Sequence, residues 1–286
     1  MANVKANFGP GGNSASFYAE GNKSTLKAPE WVKSKGLDAY EYQGGKGIFA
    51  SESTLTEIGK NAKHNKIKMS LHAPYYISLS SVTAEIREKS IDYILSSAKS
   101  ADLLGANIFV VHSGSAAKLD REAAMIFAEE TLAKAAEALE NSGCSALMGL
   151  ETMGKVNQLG TLDEVIRLCK INTDVFRPVV DFGHLNARTC GGIVTEDDYK
   201  NIFEKIASEL SPEFAENLHC HFSKIEYTKM GEKKHLTFAD ETFGPSYELL
   251  AKAIAALGIS PTIICESDGT MAEDATTLKQ QYIKYL

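Results

Sequence analysis

The sequence predicts an α/β protein with a single domain over residues 1–286, folded as a closed (β/α)8 barrel of the TIM type. Three observations lead there. Short apolar runs rich in β-branched residues recur eight times, as in strands buried on both faces. They alternate with amphipathic helical stretches, with roughly 25 to 40 residues per unit, which implies a parallel sheet. Successive runs also stop on side chains able to hold a metal: His72, His112, Glu151, Asp181, His221 and Glu266. Barrel enzymes place their chemistry at the C-terminal ends of such strands. An open doubly wound sheet would gather its site at one switch point instead.

Val4 to Phe8 reads as the first strand, stopped by the turn signal Gly9-Pro10-Gly11-Gly12. Residues 13–27 are small and polar and read as loop. A helix is expected at Ala28-Pro29-Glu30-Trp31-Val32, with proline near its start. Ala39 to Tyr42 is the second strand. The glycine-rich Gln43-Gly44-Gly45-Lys46-Gly47 comes after it, without the order of a GxxxxGK[ST] phosphate loop. Leu55, Ile58 and Ala62 give Ser53 to Asn65 helical spacing. Lys68 to His72 is the third strand, and Thr83 to Leu104 a long amphipathic helix ended by Gly105. Ile108 to His112 is the fourth strand, and Asp120 to Asn141 a helix stopped by Gly143. Ala146 to Glu151 is the fifth. Thr161 and Glu164 form a capping box that opens a short helix to Lys170. Arg177 to Asp181 is the sixth strand, Asp197 to Leu210 a helix, and Asn217 to Phe222 the seventh strand. Ser246 to Leu257 is a helix, Thr262 to Glu266 the eighth strand, and Ala272 to Leu286 closes the chain.

Composition narrows the function. Hydrophobic residues make up 44%, enough for a full core. A net charge of −7, from 30 basic and 37 acidic side chains, argues against general electrostatic coating of nucleic acid. It leaves room for a locally positive mouth around a bound cation. Cys144, Cys169, Cys190, Cys220 and Cys265 show no CxxC spacing, which favours a reduced protein over a disulfide scaffold or zinc finger. There is no signal-peptide pattern, and no apolar run approaches about 18 residues. A cytoplasmic protein without a membrane span is expected.

Glu151, Asp181 and Glu266 would all point into one barrel mouth. Carboxylates gathered in one place repel one another, and buried Asp or Glu is almost always paired or metal-bound. Divalent cations resolve the conflict; the added histidines favour zinc, with manganese or iron as alternatives. The inward candidates are His72, His112, Glu151, Asp181, His184, His221, His235 and Glu266, too many for one four-coordinate ion. Two ions roughly 3.5 to 4 Å apart that share a carboxylate would use most of them, and such a pair suits phosphate-ester hydrolysis. His64 lies in a polar helix and reads as exposed. His219 shares a strand face with His221 and reads as a core residue one layer beneath the metals.

Six strings carry a resemblance: Leu71-His72-Ala73-Pro74-Tyr75, His112-Ser113-Gly114-Ser115, Leu150-Glu151-Thr152, Val180-Asp181-Phe182-Gly183-His184, His221-Phe222-Ser223-Lys224 and Cys265-Glu266-Ser267. In order and spacing the chain resembles the endonuclease IV family, within the xylose isomerase-like barrel superfamily. Its members are zinc-dependent apurinic/apyrimidinic endonucleases, which cut DNA at abasic sites in base excision repair. The resemblance implies a first metal on His72, His112 and Glu151. Glu151 would bridge to a second, held with Asp181, His221 and Glu266. A third would use His184, His235 and an aspartate two residues before His235. That position is Lys233 here, and a lysine ammonium cannot ligate; Glu232 lies one residue out of register. Two tightly bound zinc ions are therefore expected, with the third site altered. Catalytic roles fall on Glu151, Glu266 and His184. The resemblance also implies action on double-stranded DNA with abasic sites, with Tyr75 and Tyr76 wedged into the duplex; Lys46 in the glycine-rich loop is a candidate phosphate contact, and a monomer is expected. A different class, the sugar isomerases and epimerases, would use Glu151, Asp181, His221 and Glu266 around a single ion and give His72 and His112 no task.

Overall fold

The computed structural model describes residues 5–116 and 119–286. The barrel strands are β1 (Asn7–Pro10), β2 (Ala39–Gln43), β3 (Lys68–His72), β4 (Ile108–His112), β5 (Leu147–Glu151), β6 (Phe176–Asp181), β7 (His219–Phe222) and β10 (Thr262–Cys265). A separate antiparallel hairpin, β8 (Lys224–Thr228) and β9 (Gly231–Leu236), intervenes before β10. The barrel sheet is parallel, in the order β1-β10-β7-β6-β5-β4-β3-β2. Its two end strands meet: the Gly12 amide donates to the Glu41 carbonyl at 2.9 Å, and Gly11 bridges Glu41 in parallel register. A Cβ on Gly9 would lie 1.8 Å from the Ala39 carbonyl oxygen, so only glycine permits this approach. The closed barrel holds, and the open-sheet alternative falls.

Strand alternation sorts the side chains into two sets. Outward residues such as Phe109, Val111, Met148, Leu150, Val180, Cys220 and Ile263 join the main core against the surrounding helices. Inward residues are polar in large part. Among the described residues, Ile108, Val110 and Val179 form an apolar cluster of their own inside. Register stacks the rest in layers, pairing His112 with Glu151, Asp181 with His221, and His219 with both Val179 and Thr262.

The helices are α1 (Ala15–Ala19), α2 (Ala28–Ser34), α3 (Glu52–Asn65), α4 (Ala84–Leu104), α5 (Arg121–Ser142), α6 (Leu162–Cys169), α7 (Phe182–Arg188), α8 (Glu196–Glu209), α9 (Pro212–Glu216), α10 (Tyr247–Leu257) and α11 (Met271–Ile283). The sequence signals for their ends are used: Gly105 and Gly143 cap α4 and α5 at φ 66° and 72°, and Thr161 with Glu164 closes the capping box of α6. Four features differ from expectation. The first strand starts at Asn7, and Val4 lies outside the described residues. Residues 13–27 contain α1 rather than loop alone. Asp181 ends β6 and also caps α7, its carboxylate accepting from the His184 amide at 2.8 Å. Pro212 after the Ser211 cap starts the short α9. All five cysteines are free thiols. Among the described residues no helix is long and apolar enough to cross a membrane.

Candidate metal centre

The strand ends converge as their register requires. His72, His112 and Glu151 finish β3, β4 and β5, and Asp181 finishes β6. His184 sits just beyond on α7, His221 lies on β7, and Glu266 comes just after β10. Glu151 stands at the centre and is fully buried. One of its oxygens lies 3.6 Å from His72 Nε2 and 3.5 Å from His112 Nε2. The other lies 2.9 Å from His221 Nδ1 and 3.5 Å from His184 Nδ1. Each oxygen thus faces a different set of ligands. His72, His112 and Glu151 form one group able to share an ion, and Glu151, Asp181, His221 and Glu266 another.

A third group contains a ligand that motif spacing missed. It consists of His184, His235 and Glu232, with Glu232 Oε2 3.5 Å from His184 Nε2. The hairpin register explains the choice. Lys234 pairs with Glu226 and Glu232 with Tyr227, so Lys233 is an extra residue in β9. A β-bulge of this kind shifts the side-chain phase by one residue and re-aims the side chains beyond it. Glu232 thereby shares a face with His235, three residues on. Lys233 is exposed and its ammonium pairs with Glu226. The third group therefore has a candidate carboxylate, one residue earlier than motif spacing places it.

Four of the histidine rings are pinned in a way that frees one nitrogen each. His72 Nδ1 is 2.8 Å from the Ala73 carbonyl, His184 Nδ1 3.0 Å from the Thr152 carbonyl, and His235 Nδ1 2.8 Å from Ser223 Oγ. His221 Nε2 is 3.1 Å from Glu41. The opposite nitrogens face carboxylates, the arrangement of metal-ligating histidines. Divalent cations fit these donors on a further observation. Glu151 Oε2 and Asp181 Oδ2 are buried without a hydrogen-bond partner among the described residues, which is costly unless something else satisfies them. Burial pushes the Asp181 carboxyl up in pKa, His184 offsets part of this, and the negative Glu151 and Glu266 add to it. Burial lowers His112 to about 3, leaving a neutral ring. Burial also opposes charge on His184, but Asp181, Glu151 and Glu232 outweigh it and raise that ring to about 10. Carboxylates dominate the site, and cations would answer their charge.

The sequence reading also missed Glu41. It is fully buried on β2 and contacts His219 and His221. The available signal was a glutamate at an inward position of an otherwise apolar strand. His219 lies beneath His221 as expected, and His64 is exposed on α3. At the mouth, Tyr75 is 53% exposed, with its ring stacked 5.1 Å from that of His112. Tyr76 is half exposed and packs edge-on against Tyr93. Lys46, Tyr75, Lys234, His235 and Glu266 line an open cavity of about 770 Å³ beside the ligands.

The profile of the xylose isomerase-like TIM barrel family matches residues 29–284. A Methanocaldococcus jannaschii protein, MJ0133, is 32% identical over 261 residues, covering 90% of this chain and 91% of its own. Endonuclease IV from Thermus thermophilus superposes with a TM-score of 0.68 at 18% identity, over 93% of this chain and 95% of that one. A 3-keto-D-glucoside 4-epimerase from E. coli superposes with a TM-score of 0.69 at 13% identity, over 98% and 99%. At these identities the two solved structures speak to the fold, and they represent both hydrolytic and sugar chemistry on it.

Proposed function

Because the chain belongs to the xylose isomerase-like TIM barrel family, and its mouth gathers three ligand groups, we propose that it is a metal-dependent phosphodiesterase cutting DNA at abasic sites. One observation carries this reading. The quartet Glu151, Asp181, His221 and Glu266 is flanked by His72 with His112 and by His184 with Glu232 and His235. A one-metal isomerase would leave five of these side chains without work.

Zinc suits the mixed histidine and carboxylate donors, with Mn2+ or Fe2+ as alternatives. Cations held there would supply Lewis acidity and positive charge against the developing charge of a phosphoryl group. The chain's own residues do the rest. Glu151 turns its oxygens toward different groups and keeps them in one frame. Glu266, on the cavity wall, is placed to take a proton from an attacking water. His184, held by Thr152 and by the cap that Asp181 makes on α7, fixes the third group against the second. Lys46 and Lys234 bring positive charge to the cavity where a phosphate would lie, despite the net charge of −7. Tyr75 and Tyr76 offer exposed rings to the space left by a displaced nucleotide. The partner is double-stranded DNA with an abasic site, and the acting unit is a monomer in the cytoplasm.

The test is incision of a duplex carrying one synthetic abasic site, beside an intact duplex. A single break at the abasic position, dependent on metal, supports the proposal; no break by metal-loaded protein rejects it. The complete quartet favours a second reading, a sugar epimerase in which Glu151 and Glu266 exchange a proton beside a carbonyl. His184→Ala separates the two: hydrolysis would collapse, whereas one-metal sugar turnover would persist.

A further inference from the structure

The structure assigns Glu41 as the positioning residue that sets which nitrogen His221 offers to the metal centre. This rests on the metal reading above, and not on which substrate is cut or isomerised. Glu41, His219 and His221 lie close enough together to be candidate ligands themselves. Hydrogen-bond satisfaction decides against that. Glu41 Oε1 lies 3.1 Å from His221 Nε2 and 3.3 Å from the Gln43 amide nitrogen. Its Oε2 accepts from Ser70 Oγ at 2.9 Å and lies 3.0 Å from His219 Nε2. Both oxygens are served, whereas Glu151 and Asp181 each keep an orphaned oxygen. An ion is called for at Glu151 and Asp181, and not at Glu41.

The consequence falls on His221. An imidazole that ligates a metal keeps one proton, and the buried carboxylate holds it on Nε2. The lone pair is then on Nδ1, which points at Glu151 and Glu266 at 2.9 and 3.6 Å. A carboxylate behind a ligating histidine fixes its tautomer and raises its basicity. Glu41 is itself anchored at the barrel seam, where its carbonyl accepts from the Gly12 amide and Gly11 bridges it. Closure of the sheet between β1 and β2 thus places a ligand on β7.

The experiment titrates metal-free protein with zinc, comparing wild type, Glu41→Gln and His219→Gln, and records the histidine ring nitrogens by 15N NMR at the zinc level that saturates wild type. Glu41→Gln should weaken one zinc site about 10- to 100-fold, leave the remaining sites unchanged, and turn His221 from an Nε2–H ring ligating through Nδ1 into a mixture of ligating and free rings. His219→Gln leaves the carboxylate in place, so His221 should keep its tautomer and the zinc sites their affinities. If Glu41→Gln does not fold, Glu41→Asp retains the charge but retracts it by one methylene and should show the same selective loss. Equal zinc affinity and an unchanged tautomer in the Glu41 variant would overturn the assignment. So would an equal loss in His219→Gln, which would give the role to the pair as packing. Failure of wild type to bind zinc would instead reject the metal reading itself.

Discussion

Lys233 stands where motif spacing places a ligand, yet its ammonium turns outward to Glu226. Lys233→Ala should therefore behave as a surface change, within about twofold of wild type in metal content and activity. Glu232→Ala should lose one ion per chain, because it removes the carboxylate shared with His184 and His235. Elemental analysis of both variants checks this, and an unchanged ion count in Glu232→Ala would contradict it. By motif spacing alone, Lys233→Asp would gain a metal; with the bulge no gain is expected, since the carboxylate is already present at Glu232. The mouth aromatics make a separate prediction. Replacing Tyr75 and Tyr76 together by alanine should weaken binding to an abasic duplex by about 1–3 kcal/mol per stacked ring. Metal content should not change. Unchanged affinity in a fluorescence titration would return both rings to packing, Tyr76 on Tyr93 and Tyr75 on His72 and His112.

Among the elements, the β8–β9 hairpin carries the most consequence, since its single extra residue decides which side chain faces the centre. Deleting Lys233 should be tolerated. Glu232 and His235 would then be two apart on a regular strand and still share a face. Zinc stoichiometry of the deletion variant should equal wild type, and loss of one ion would show that the bulge does more than set phase. The α6 capping box gives a test away from the site. Burial opposes ionisation of Glu164, but Arg121 and the Thr161 and Gly160 amides outweigh it and lower the carboxyl to about 2 from 4.5. A depressed carboxylate contributes stability that is present above its ordinary pKa and lost as pH falls through the folded value. Glu164→Gln should thus destabilise the protein near neutrality and flatten its loss of stability between about pH 4.5 and 2. Melting curves of metal-free wild type and variant across that window check it, and parallel curves would contradict it.

For the whole molecule, the barrel was legible because its inward pattern is written along the chain: strands recur as short runs, and in β3 to β7 the last inward residue is a candidate ligand. His72, His112, Glu151, Asp181 and His221 could be read from single strings. Glu41 could not, because its partner His221 lies 180 residues away and only barrel closure brings them together. Glu232 was hidden for another reason, since spacing counts residues and a bulge changes what the count means. The short α1, α7 and α9 and the hairpin escaped a strand-and-helix alternation that sees only the repeating unit. What unites the observations is one claim: three ligand groups around Glu151 form a single cluster for more than one ion. Native mass spectrometry of protein reconstituted with zinc and freed of excess tests it most directly. Three ions are expected on wild type and two on Glu232→Ala. One ion on wild type, unchanged by Glu232→Ala, would contradict it and hand the quartet to one-metal sugar chemistry.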